Sequence, residues 1–256
     1  HDYHPPTSHD GRFLSFLFIT IIANAQLNNL VEYNFVNKIG ANAVYKEYLI
    51  FNENELFYAN ITNDDNLNYE DEKLNKERIN FEPIYINFKT DSLYQSKYGI
   101  MKPNSSQVTT FILVEKKPVM NWKVTKESQK ILGYSCYKAT TKFRGREYIA
   151  WFTPDIPYNF GPWKLGGLPG LILKVENDYF DYEAKRVVLN SDKITPIISL
   201  RNEEFAKSKF NLKKSIEFEN NWLSYNKSNR LASLPAGVKI IEKSLREDER
   251  ELSFEE

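Results

Sequence analysis

Histidine is nearly missing from this chain, and its placement decides which chemistry stays open. All three copies (His1, His4 and His9) fall within the first nine of 256 residues. From residue 10 onward a Ser-His-Asp triad, a Cys-His pair and an imidazole metal cluster are therefore excluded. Cysteine is scarcer still. Cys136 stands alone, so neither an intramolecular disulfide nor a multi-thiolate zinc site can form. Its neighbours Gly133, Tyr134, Ser135 and Tyr137 read as strand, and a lone thiol there is expected to be a buried, inert packing group. No charge of one sign dominates either. The 34 basic and 34 acidic side chains balance, which leaves no electrostatic footprint for nucleic acid or an anionic membrane. The short basic pairs, Lys116 with Lys117 and Lys213 with Lys214, read as solvated surface.

Long hydrophobic runs are also absent. Residues 13–23 (FLSFLFITIIA) form an apolar run of eleven residues, where a membrane span needs about 20. Arg12 precedes the run and Ala23, Asn24 and Ala25 follow it in the small-x-small pattern a signal peptidase accepts. The expectation is a secretory signal over 13–25, cut after Ala25. Residues 1–12 read as a tag or upstream segment, and 26–256 as a single domain. No cysteine follows the cut, so a lipid anchor is not expected there. This reading places the chain outside the cytoplasm, in the periplasm or associated with the outer membrane, with no transmembrane span after cleavage.

What the chain does have is strand. Residues 46–51 and 56–61 are apolar-aromatic runs separated by Asn52, Glu53, Asn54 and Glu55, a turn signal. Residues 83–94, 109–115, 134–143 and 147–152 are further strand candidates, with a turn at Arg144, Gly145 and Arg146. Residues 63–80 are polar and read as an exposed excursion. One helix is expected near 202–227, which holds Phe205, Phe210, Ile216, Trp222 and Leu223 among charged residues without Gly or Pro. Leu252 to Phe254 reads as a closing strand. The fold class is mainly β (α+β), a curved antiparallel sheet with at least one helix.

Residues 161–177, GPWKLGGLPGLILKVEN, pack four glycines and two prolines into their first ten positions. The segment has neither the GxGxxG of a dinucleotide cradle nor a GK[ST] ending, and it leads into a strand rather than a helix. No cofactor is expected. Instead, residues 168–171 fit a type II turn with Pro169 second and Gly170 at positive φ. Gly166 and Gly167 permit close backbone approach, under Trp151 or Trp163. The hairpin that follows is expected to loop at Asn177 and Asp178. That loop pairs Val175 with Phe180, Leu173 with Tyr182 and Leu171 with Ala184 on one face, with Ile172 opposite Glu183 as the exception.

Those residues carry a family resemblance. Gly167, Leu168, Pro169, Gly170, Leu171 and Ile172, with Gly166 before them, match the signature of the GLPGLI family of secreted Bacteroidota envelope proteins. The preceding LGYSCYKA (132–139), YIAWFTPDIP (148–157) and Gly161-Pro162 are similar to that family as well. The resemblance implies an exported β-rich protein and assigns no catalytic residue. The strand around Cys136 followed by a Trp-bearing strand also resembles the half-open barrels of periplasmic lipoprotein carriers, a likeness of fold that licenses no activity.

Function is expected to be that of a non-enzymatic envelope binding or accessory module. It would hold an apolar or peptide ligand or dock on an outer-membrane complex, and Trp151, Pro154, Asp155 and Trp163 are candidate contact residues. Tyr, Phe and Trp make up 14% of the chain, a share that suits interfaces and apolar grooves. Two alternatives stay open: a structural envelope component, or a carboxylate-based hydrolase using Asp155 with Glu176 or Glu183. Glu176, Asp178, Asp181 and Glu183 otherwise read as the wet face of a hairpin. Asn63, Asp64, Asp65 and Asn66 lack the twelve-residue pattern of a calcium loop.

Overall fold

A computed structural model of the chain describes residues 27–38, 43–61, 79–103, 105–198, 201 and 207–235. The strands are β1 (Asn28–Asn37), β2 (Ala43–Phe51), β3 (Glu55–Ile61), β4 (Ile79–Asn87), β5 (Ser92–Gly99), β6 (Thr109–Lys116) and β7 (Lys123–Ile131). They continue with β8 (Tyr134–Phe143), β9 (Arg146–Thr153), β10 (Leu171–Glu176), β11 (Phe180–Ser191) and β12 (Lys209–Asn211), and a helix, α1, covers Leu212–Ala232. All twelve strands join one sheet in the order β12-β6-β5-β4-β3-β2-β1-β11-β10-β9-β8-β7. Among the described strands every pairing is antiparallel except that of the three-residue β12 with β6.

Chain connectivity forces this sheet to curve. β6 and β7 lie ten strand positions apart, roughly 48 Å in a flat sheet. Yet Lys116 and Lys123 are joined by seven residue steps, which reach at most about 25 Å. The sheet therefore bends until its two ends approach, giving the expected curved, open architecture. Its inner face carries Val31, Tyr33, Phe35, Leu49, Phe51, Tyr58, Ile84, Phe152, Leu173 and Tyr182 in one core. Alternate residues on β1 to β4 (Leu30, Tyr48, Ile50, Phe57, Ala59 and Tyr85) form a second core on the outer face, closed by Ile197. Strands buried on both faces read as continuous apolar runs, which is why 46–51 and 56–61 stood out. Two cores also absorb the aromatics: Tyr33, Tyr48, Tyr182, Phe51 and Phe57 are among the largest fully buried side chains.

Several sequence expectations shift. The candidate 83–94 is two strands, because Asn87 Oδ1 accepts hydrogen bonds from the backbone N–H of Lys89 (3.0 Å) and Thr90 (3.2 Å) and turns the chain. The helix begins later than expected, at Leu212. Asn211 caps it by accepting the N–H of Lys214, and Phe210 belongs to β12, where it meets Phe111 and Phe218 edge-on. It also ends later, at Ala232, ahead of Pro235. In the hairpin, Val175 faces Tyr182 rather than Phe180, so the register moves by two residues and each residue keeps its face. The cause is Asn177, whose Oδ1 accepts the N–H of Tyr179 (2.8 Å) and Phe180 (2.7 Å) and moves the loop to Asp178 and Tyr179. A register shift between Ile172 and Lys174 buries Ile172 and resolves the exception noted for it. The signal segment 13–25, residues 202–206, the strand expected at 252–254 and the polar excursion up to residue 78 lie outside the described residues.

Candidate functional site

Between β9 and β10, residues 154–170 turn into the concavity of the sheet. Ile156, Phe160, Trp163, Leu165 and Leu168 join the inner core, so the chain fills its own hollow. Phe51 meets Tyr158 and Phe160 edge-on, with ring centroids 4.8 and 5.1 Å apart, and Phe88 stacks on Phe160 at 4.7 Å. β10 pairs with β11 from Lys174 onward. Over Leu171 and Ile172 its backbone is served by this inserted segment instead. Leu171 N–H donates to Ile156 O (3.0 Å) and Ile172 N–H to Phe160 O (2.9 Å). The Ile172 carbonyl accepts the fully buried Tyr33 hydroxyl at 2.6 Å, and burial pushes that phenol's pKa upward.

The glycine motif is the fastening of this insertion. Gly170 N–H donates to Leu168 O at 2.8 Å, a three-residue turn centred on Pro169. Because Leu171 N–H goes to Ile156, the expected type II turn does not form. Gly170 has φ +155, and a Cβ there would meet the Thr153 carbonyl carbon at 2.6 Å and Pro154 Cα at 2.9 Å. Trp122 donates its Nε1–H to the Gly166 carbonyl at 2.8 Å, and a Cβ on Gly166 would meet the Asn159 carbonyl oxygen at 2.8 Å. Trp122 was invisible in the sequence because it follows a segment without strand or motif signal.

The candidate contact residues do not converge. Trp163 is buried at φ +56 against Phe143, while Pro154 and Asp155 are exposed at the start of the insertion. Trp151 is half-buried between its strand neighbours Lys138 and Lys174, and its buried indole N–H has no acceptor. The acidic residues do not form a hydrolytic pair either. Leu171 lies opposite Thr153, two residues before Asp155, and Glu176 is five residues further along β10, roughly 16 Å away. Glu176 pairs with Lys174 (2.9 Å), Glu183 with Lys185 (2.5 Å) and Asp181 with Lys38 (2.8 Å), each as a separate partly exposed contact. Among the described residues no three His, Cys, Asp or Glu side chains gather to hold a metal ion.

Cys136 is fully buried, its Sγ 3.7 Å from Tyr134 O, and burial pushes its thiol pKa up to about 11. One expectation of solvated charge fails. Lys117 is half-buried, with Nζ 5.4 and 5.7 Å from the ring centroids of Phe88 and Phe160. Burial lowers its pKa while Asp91 opposes the shift. The sequence also gave no warning of a buried ionic cluster. Glu115 on β6 accepts from Arg144 at 2.5 Å and from Lys164 at 2.9 Å, with all three side chains at most 7% exposed. Arg144 is in the β8–β9 turn and Lys164 in the inserted segment, so the cluster joins one end of the curved sheet to the other.

No curated protein matches the chain. Among solved structures, two crystal forms of PNGF-II are similar to it. The form in space group P21 is 23% identical with a TM-score of 0.53, covering 75% of this chain and 33% of that one. The form in C2 is 21% identical with a TM-score of 0.52, covering 75% and 32%. At that identity the likeness is one of fold, and this chain spans about a third of the length of those it matches. The family model described as "N-glycanase peptide, N-terminal domain" matches residues 44–212, well over half of the sequence, and the chain belongs to that family.

Proposed function

We propose that this chain is an exported, non-enzymatic accessory module that docks on another protein of the cell envelope. The observation that carries the reading is the inserted segment 154–170: it fills the concavity where a ligand or substrate would sit, and leaves outer surfaces and edges as the places to bind. The separation of Asp155 from Glu176 supports a non-catalytic role. Membership of a family described as an N-terminal domain makes a catalytic unit of the N-glycanase kind the first candidate for the partner. The GLPGLI signature at 167–172 supports export to the envelope.

Two measurements test the reading. The purified chain, incubated with an N-glycosylated protein, should release no glycan by mass spectrometry; steady turnover would overturn the non-enzymatic role. Expressed with its leader, the protein should be recovered from the envelope fraction beginning at Gln26. Retention in the cytoplasm with the leader intact would overturn the export claim.

A further inference from the structure

The two ends of the sheet are built differently. β12 is three residues long and abuts α1. β7 runs nine residues, contains no buried side chain, and has no described strand beyond it. Such an edge presents unpaired backbone N–H and C=O groups that an extended chain can complete. Protein edges are commonly blunted by lysines and bulges. β7 has both, in Lys123, Lys126 and Lys130 and in the register shift between Val124 and Ser128.

Those devices select a partner rather than exclude all partners. A second copy would set lysines against lysines across the new pairing, which is unfavourable. An acidic strand would meet three cations instead. The one acidic residue of β7, Glu127, is already held by Lys138 Nζ at 2.9 and 3.0 Å. No described carboxylate lies within ion-pair distance of Lys123, Lys126 or Lys130. Exposed apolar side chains lie on β7, on its neighbour β8 and in the connections that flank β7. Val119 is 87% exposed, Val124 50%, Leu132 46% and Tyr137 40%. Trp122, immediately before β7, roots the edge in the glycine motif through Gly166.

We propose that β7 is a docking edge for an extended, acidic segment of another polypeptide, which adds a strand beside Lys123–Ile131. Its carboxylates would face the three lysines, and its apolar side chains would cover Val124 and Tyr137. The proposal rests on the docking-module reading above and names its surface and partner chemistry.

The test is backbone hydrogen exchange on the full chain with end-blocked probe peptides, one alternating glutamate and valine, the other lysine and valine. The acidic peptide should slow exchange across residues 123–131, and the basic peptide should not. A triple variant, Lys123→Glu with Lys126→Glu and Lys130→Glu, should weaken the acidic peptide about tenfold and favour the basic one. Its melting temperature should not change, since all three side chains are exposed. Protection elsewhere, none at 123–131, or no response to charge reversal would overturn the proposal. So would a homodimer that protects 123–131 without peptide. Failure here alongside an absence of glycan release would sink the edge and leave the accessory role standing, whereas glycan turnover would sink the role itself.

Discussion

Replacing Gly170 with alanine adds one methyl group and no charge, and the fold offers no place for it. At φ +155 an L side chain is strained by about 1–3 kcal/mol. The Cβ would also run into the Thr153 carbonyl and Pro154, which are backbone and cannot rotate away as a side chain could. Overpacking of that kind adds about 1–3 kcal/mol. A combined loss of about 3 kcal/mol should lower the melting temperature of a domain of this size by roughly 6–12 °C. Gly167→Ala is the internal control. Its φ is +89, but a Cβ there meets nothing within 4 Å, so only conformational strain applies. That costs about 1 kcal/mol, or roughly 2–4 °C. Thermal melts followed by far-ultraviolet circular dichroism compare the two directly. Equal shifts, or a Gly170→Ala protein melting with the parent, would refute the claim that close backbone approach fixes glycine here.

The remaining expectations address the other fastenings. Tyr33→Phe orphans the buried Ile172 carbonyl and should destabilise by about 1–3 kcal/mol in urea unfolding; a change below that range would mean the carbonyl finds another donor. Glu115→Gln leaves Arg144 and Lys164 facing a neutral amide and should cost at least about 3 kcal/mol, read from the same unfolding curves. Asp155→Asn should leave the melting temperature unchanged, since the side chain is exposed. The Cys136 thiol should resist labelling in the native protein. Its pKa is raised from 9.0 to about 11, so the unfolded chain ionises first. Its share of stability is complete below pH 9 and is lost as pH rises from 9 towards 11. Cys136→Ala should flatten that part of the alkaline stability profile, and an unchanged profile would count against the cause.

What the sequence disclosed followed from how much of each signal is local. The strands of β2, β3, β8 and β9 were legible because burial on one or both faces writes itself into successive residues. β7 was not, since an edge strand with no buried side chain has no apolar period to detect. The Asn177 loop was misplaced by one residue because a side chain accepting two backbone N–H groups outweighs the plain two-residue template. The geometry of the glycine motif depends on Thr153, Ile156 and Trp122, whose contacts with it no pattern in the motif announces. Glu115, Arg144 and Lys164 lie up to 49 residues apart in sequence, and the need for them to meet arises only once the sheet has curved.

That curvature also decides where binding can occur. A curved sheet with an open interior would expose the apolar side chains of β1, β2, β9 and β10, and such a hollow suits an apolar ligand. Here the same chain supplies the contents, and the contents are tied to the walls by backbone hydrogen bonds at Leu171 and Ile172, by Trp122 on Gly166 and by Lys164 on Glu115. Emptying the hollow would break all of them and take from the buried Glu115 one of its two cations, a cost of several kcal/mol before any ligand could contribute. Variants that loosen the insertion should therefore lose stability without gaining affinity for apolar probes. A fluorescent apolar dye titrated against Glu115→Gln, at a temperature where it remains folded, checks this. Saturable binding by the variant, with the parent silent, would show that the insertion is a displaceable lid and that the hollow, not the edge, is the functional surface.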